Sequence, residues 1–133
     1  MTIDEVTRRR LLQAATEAAD RAYAPYSDFH VGAAVLTDAG VVYTGCNVEN
    51  ASSPLAICAE RSAIAAAVND EGPGMGLRAV AVANAEESPC SPCGACRQTM
   101  AEFGDPVVLF TGEDDDLVEL PLSELLPHSF RLD

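Results

Sequence analysis

Two short cysteine motifs constrain this chain more than any other feature. Cys58-Ala59-Glu60 and Pro92-Cys93-Gly94-Ala95-Cys96 stand well apart, Cys93 following Cys58 by 35 positions. Each opens a helix-like run: Cys58 to Val68 (CAERSAIAAAV), and Cys93 to Phe103 (CGACRQTMAEF), which Gly104 closes. Both sets of cysteines therefore lie at helix starts, where free backbone N–H groups and the helix dipole favour thiolates.

The remaining pattern supplies the frame. Asp4 to about Tyr23 is Ala-rich, with Leu11, Leu12, Ala15, Ala19, Ala22 and Tyr23 at helical spacing. Pro25 ends it, because the residue before proline avoids the helical region. His30 to Leu36 and Val41 to Val48 read as strands joined by a turn at Asp38-Ala39-Gly40. Leu77 to Ala83, Pro106 to Phe110 and Asp116 to Leu120 are three more strands, and S-E-L-L near the end forms a short helical turn. The order is α-β-β-α-β-α-β-β, in which helices can cover both faces of one sheet. No repeat or linker splits the chain, so residues 1–133 are read as one domain.

Charge narrows the partners. With 8 basic and 21 acidic side chains the formal net charge is −13. That disfavours a nucleic acid or an anionic membrane as the main partner, since both attract basic surfaces. The opening M-T-I-D-E-V-T-R-R-R lacks the apolar run of a secretory signal. Five cysteines in such a chain fit a reducing, cytoplasmic setting, where C-x-x-C more often serves a metal or redox chemistry than a structural disulfide.

Three thiolates, from Cys58, Cys93 and Cys96, suit one zinc ion and leave its fourth tetrahedral position open to water, whose pKa the metal lowers. Glu60 follows Cys58 by two residues. A carboxylate there can reach past a metal without binding it, and can carry a proton from water to a leaving nitrogen. C-A-E joined to P-C-x-x-C is the signature of zinc-dependent nucleobase deaminases. Two other readings stay open. A closed structural zinc site needs a fourth protein ligand, which Cys90, Cys46 or His30 can supply. A redox C-x-x-C leaves Cys58 and Glu60 without a task.

The motif P-C-S-P-C-G-A-C also offers two clamps, Cys90 with Cys93 or Cys93 with Cys96. Pro92 removes a backbone donor between the first pair and suits the residue just before a helix. Gly94-Ala95 lets the chain turn tightly into the helix between the second pair. We therefore expect Cys90 to be a bystander in the preceding loop.

The chain resembles the small, homotetrameric, zinc-dependent cytidine deaminases. The resemblance rests on A-Y-A-P-Y-S-D-F-H-V-G-A-A (22–34), G-C-N-V-E-N-A (45–51), I-C-A-E-R (57–61), S-P-C-G-A-C-R-Q (91–98) and E-L-L-P-H-S-F (124–130). It implies a three-layer α/β/α sandwich with a mixed five-stranded sheet. It implies hydrolysis of cytidine and deoxycytidine to uridine and deoxyuridine, with release of ammonia, in pyrimidine salvage. By motif position Cys58, Cys93 and Cys96 match the zinc ligands and Glu60 the proton carrier. Asn47 and Glu49 match residues on the ribose 3′-hydroxyl, Phe29 an aromatic against the pyrimidine, and the Ala59 amide a contact to the base carbonyl. Phe130 matches an aromatic sent into an adjacent subunit's site. Arg61 matches an arginine beside the sulfurs, which would offset the net negative charge of zinc with three thiolates.

One block departs from the resemblance. Asn50-Ala51-Ser52-Ser53-Pro54 has Ser53 where the family commonly has tyrosine. That change keeps open a deaminase of another small aminopyrimidine nucleoside, of the aminonucleoside-antibiotic type. A non-catalytic, zinc-stapled interaction domain is the reading from a different class. A polynucleotide editor would want basic and aromatic surface, which this acidic chain without tryptophan lacks.

Overall fold

The computed structural model of the protein describes residues 3–132; Met1, Thr2 and Asp133, which the one-domain reading includes, lie outside them. Helix α1 (Glu5–Ala19) is followed by strands β1 (Val31–Thr37) and β2 (Val42–Cys46), helix α2 (Ala59–Glu71), strand β3 (Leu77–Asn84), helix α3 (Gly94–Ala101), strands β4 (Val107–Thr111) and β5 (Leu117–Pro121), and the short helix α4 (Leu122–Leu125). The five strands form one sheet in the order β2-β1-β3-β4-β5. Only β3 and β4 pair in parallel; the other neighbours are antiparallel. The sheet is mixed and lies between helical layers, as the resemblance implies.

Alternation along the strands builds both layers. Ala34 and Leu36 of β1 and Ala79 and Ala81 of β3 face Leu11 and Ala15 of α1. Their neighbours Ala33, Val35, Val80 and Val82 face the opposite way, onto Ala63, Ile64 and Ala67 of α2 and Met100 of α3. Strands buried on both faces read as continuous apolar runs, which is why VGAAVL and LRAVAVA carry no polar alternation.

Small residues set the spacing between layers. A Cβ on Gly32 would lie 2.0 Å from the Ala15 carbonyl oxygen and 2.4 Å from the Ala19 nitrogen. The backbone of α1 thus rests directly on β1. On the other face a Cβ on Gly45 would lie 2.4 Å from the Ala63 nitrogen, so α2 rests on β2 in the same way. Asp4 caps α1 by accepting a hydrogen bond from the Thr7 N–H at 2.7 Å. The Arg8 side chain then ties α1 to β5, donating from Nε to Glu119 at 2.6 Å.

Helix α2 runs on past Val68 to Glu71, and α3 stops at Ala101, short of Phe103. Two further boundaries differ for tertiary reasons. The helical pattern continues to Tyr23, but α1 stops at Ala19. Tyr23 instead donates its N–H to the Asn47 carbonyl at 3.0 Å and accepts from the Glu49 N–H at 2.8 Å. Tertiary pairing outweighs local helix propensity there. Strand β2 ends at Cys46 rather than Val48, because Val48 turns aside to bridge Tyr23 and Ile57.

The topology also fixes where the site lies. β2 and β3 are both antiparallel to β1, so they run in the same direction. The loops leaving their C-terminal ends lead to α2 and α3, and both helices therefore begin at the same end of the sheet, on the same face.

Gly32→Ala is expected to lower stability by about 3 kcal/mol or more, because the obstruction is backbone. Gly74→Ala, at a position with open space around its Cβ, is expected to change it by no more than about 0.5 kcal/mol. Urea unfolding midpoints for the two variants check the contrast.

Candidate active site

Cys58 is the N-cap of α2 and Cys93 the N-cap of α3; Cys96 lies within the first turn of α3. The Cys96 N–H donates to Cys93 Sγ at 3.5 Å. Cys58 Sγ is 3.9 Å from Cys93 Sγ, and Cys93 Sγ is 3.4 Å from Cys96 Sγ. All three sulfurs lie within 4.8 Å of one another. Tetrahedral zinc with Zn–S bonds of ~2.3 Å sets its sulfurs roughly 3.8 Å apart. The spacing fits, and soft sulfur donors at two helix N-termini suit the metal.

Among the described residues the metal-capable cluster holds these three side chains and no fourth. Cys90 Sγ points to the Val82 carbonyl at 3.7 Å, and Cys46 Sγ to the Arg21 carbonyl at 3.5 Å. His30 Nδ1 lies 3.9 Å from an Asp28 carboxylate oxygen. The closed-site reading therefore lacks its fourth ligand, and the arrangement is that of an open centre.

Charge around the sulfurs is arranged for a thiolate. Hydrogen bonding from Cys96, then from Arg61, draws the Cys58 thiol well below the ordinary thiol range despite desolvation. Cys96 is pushed the other way by its interaction with Cys58 and by burial. Arg61, one turn into α2, donates from Nη2 to Cys58 Sγ at 3.4 Å. The arginine is thus placed against the sulfurs.

Glu60 is a buried carboxylate, 5% exposed, in the first turn of α2. Burial pushes its carboxyl up, and the charge at Cys58 pushes the same way. It lines a cavity of about 290 Å³ together with Cys58, Ala59 and Cys93, Phe29, Asn47 and Glu49. Of the other sequence-derived candidates, Arg61 touches the sulfurs from outside this lining. Phe130 stands apart: it is 68% exposed, and its backbone exchanges two hydrogen bonds with the Gln98 side chain, at 2.8 and 3.1 Å.

Asn47 and Glu49 do more locally than their motif position announces. Asn47 donates from Nδ2 to the Phe29 carbonyl and accepts at Oδ1 from the Val31 N–H, each at 2.8 Å. Glu49 accepts from the Tyr26 and Ser27 N–H groups at 2.9 and 3.1 Å, and from the Ser27 hydroxyl. The Asn-x-Glu pair therefore moulds the 25–30 loop into one wall of the cavity and holds Phe29 there.

The sequence reading missed several lining residues. Val31 and Val82, at the start of β1 and near the end of β3, form apolar wall, and Ile57, Cys90 and Ser91 complete the rim. Cys90 is outside the sulfur cluster but inside the cavity, which its motif did not reveal. Arg97 adds a brace: its Nε donates to the Pro92 carbonyl and its Nη1 to the Leu125 carbonyl, each at 2.9 Å. The turn that presents Cys93 is thereby tied to the C-terminal segment.

Hydrolytic zinc enzymes need an open coordination position, a base held near it and a dry, shaped cavity. This molecule is built as one of that class. The cytidine and deoxycytidylate deaminase zinc-binding region matches residues 5–111. A cytidine deaminase of Sporosarcina psychrophila is 44% identical over 123 residues, covering 91% of this chain and 89% of its own. One of Mycobacterium tuberculosis is 46% identical over 119 residues, covering 90% and 86%. Its crystal structure superposes with a TM-score of 0.83 at 40% identity, covering 98% of this chain and all of the other. The structure of a Burkholderia pseudomallei cytidine deaminase gives 0.81 at 43% identity, with the same coverage of this chain. The chain belongs to the cytidine and deoxycytidylate deaminase family.

Cys96→Ser is expected to lose bound zinc, whereas Cys90→Ser is expected to keep one zinc per chain. Metal analysis of the two purified variants after dialysis checks this.

Proposed function

We propose that the protein hydrolyses cytidine and deoxycytidine to the corresponding uridines, releasing ammonia. The observation that carries the reading is the buried Glu60 carboxylate, facing the cavity beside an open three-sulfur centre. Zinc held by Cys58, Cys93 and Cys96 supplies Lewis acidity that makes water a competent nucleophile near neutral pH.

The chain's own residues do the rest. Phe29, held by Asn47 and the Ser27 turn, packs on the pyrimidine; the Ala59 N–H, at the start of α2, donates to the base carbonyl. Asn47 retains a second amide hydrogen, and Glu49 a free acceptor site, for the sugar hydroxyls. Glu60 takes a proton from the attacking water and delivers it to N3 as the water oxygen bonds to C4. It then takes the remaining proton from the hydroxyl now on C4 and passes it to the exocyclic amino group; the C4–N bond breaks, the C4 carbonyl forms, and ammonia leaves. Arg61 offsets the excess negative charge of three thiolates, which keeps the centre electrophilic.

The family's description covers a nucleoside and a nucleotide, and the lining favours the nucleoside. Among the described residues no Lys or Arg lines the cavity, while Glu49 and Glu60 do. A phosphate would meet acceptors and no cation.

We further place the protein in the cytoplasm, in pyrimidine salvage, as a homotetramer. Support for association comes from exposed apolar side chains around Val48, Leu55 and Ile57, with Tyr23 beside them. Phe130, unused by its own cavity, is the residue we assign to a neighbouring subunit's site. No helix among the described residues is long and apolar enough to cross a membrane.

Glu60→Gln is expected to lower kcat for cytidine by at least about 100-fold with zinc retained. Absorbance on conversion to uridine, with zinc analysis of the same sample, checks both parts. Wild-type kcat/KM for deoxycytidine 5′-monophosphate is expected to be about 100-fold or more below that for deoxycytidine.

A further inference from the structure

Asn84 closes β3 and is almost fully buried, 3% exposed, yet it does not line the substrate cavity. Both ends of its amide are committed to the loop that follows. Oδ1 accepts from the Glu86 and Ser88 N–H groups, each at 3.0 Å, and from the Ser88 hydroxyl at 3.2 Å. Nδ2 donates to the Ser88 carbonyl at 2.6 Å. An amide can do this because it accepts at one atom and donates from another.

The loop has little else to hold it. The Glu87 N–H donates to the Asn84 carbonyl at 3.2 Å, the Ala85 N–H to the His30 carbonyl at 3.0 Å and the Cys90 N–H to the Thr111 carbonyl at 3.1 Å. Pro89 has no N–H to offer. Glu87 has a φ of +54°, in the left-handed region, which a residue other than glycine keeps only where its surroundings over-determine it. Asn84 supplies most of that constraint. All of these bonds lie within one chain and need no open surface.

The loop ends in the cavity. Cys90 and Ser91 line it beside Val82, and Cys90 Sγ points to the Val82 carbonyl. The residues after them are held separately, Pro92 through its carbonyl by Arg97 and Cys93 by its place among the sulfurs. A change at Asn84 therefore reaches the Cys90–Ser91 wall before it reaches the metal centre. Asn84 also pairs with Val31 across the sheet, and Val31 is the residue whose N–H Asn47 holds. The two walls of the cavity share this anchor at the start of β1.

We propose that Asn84 is a positioning residue for the nucleoside, moulding the 85–91 loop so that Cys90 and Ser91 stand as a preformed wall of the substrate cavity. The inference rests on the reading that this cavity seats cytidine. Without Asn84 the wall is ordered only as substrate binds, and that ordering weakens affinity. Metal capture and the proton transfers of Glu60 belong to other elements and are left as they are.

The test measures kcat and KM for cytidine, the inhibition constant of uridine and the zinc content of wild type, Asn84→Ala and Asn84→Asp, each as the zinc-loaded full chain. Asn84→Asp keeps the acceptor but turns a carboxylate oxygen towards the Ser88 carbonyl. Both variants are expected to raise KM about fivefold or more and the uridine constant by the same factor, with kcat within about threefold and one zinc per chain. Ser88→Ala, which removes only the hydroxyl, is expected to keep KM within about twofold. Where Asn84→Ala does not fold, Asn84→Asp decides. A KM within about twofold of wild type in either folded Asn84 variant overturns the proposal, as does a fall in kcat or zinc content at unchanged KM, the pattern of a purely structural role. Inactivity of wild type on cytidine itself would instead overturn the deaminase reading on which the proposal rests.

Discussion

The N-termini of α2 and α3 meet at one end of the sheet, and the three sulfurs they carry lie close enough to share one ion. Each helix contributes its dipole and free amides to a place where negative charge must be stabilised. Arg61 adds a full positive charge to the same place. Without a metal or these helix ends, three neighbouring thiols would keep their protons. The rest of the fold serves this convergence. β2 and β3 run in one direction, so their following helices start together, and the sheet's C-terminal edge becomes the floor of the cavity.

Close packing makes that convergence rigid. Gly32 and Gly45 let α1 and α2 lie on the sheet at backbone distance, and alanines fill most of the contact. A helix seated so closely cannot slide without a backbone clash, so the Cys58 cap is fixed relative to β2. Arg97 holds the Pro92 carbonyl and so fixes the other cap, at Cys93. The 25–30 loop lacks regular structure, but the Asn47 and Glu49 side chains supply hydrogen bonds that hold it and the start of β1. Preorganisation of this kind costs nothing at the moment of reaction.

Much of this was legible in the sequence because period and punctuation are local. The strands fell within a residue or two of their places, since their apolar runs are bounded by turn residues such as Gly40, whose φ is +82°. The two helix starts were legible from their cysteines. What the sequence withheld was partnership. Helical spacing through Tyr23 carries no sign that its backbone pairs with Asn47 and Glu49. Asn47 reads as a ligand contact, yet both ends of its amide already hold the loop. Pro92 already set Cys90 apart from the clamp, but only the fold shows its sulfur turned to Val82 and its place in the cavity lining. Phe130 sits in a motif tail whose destination a single chain does not display.

The central claim is an open metal centre with three sulfur ligands. Zinc K-edge X-ray absorption on the purified protein tests it most directly. The account predicts three sulfur scatterers at about 2.3 Å and one lighter oxygen or nitrogen neighbour at about 2.0 Å. Four sulfurs would contradict it, because Cys90 or Cys46 would then close the position that catalysis requires.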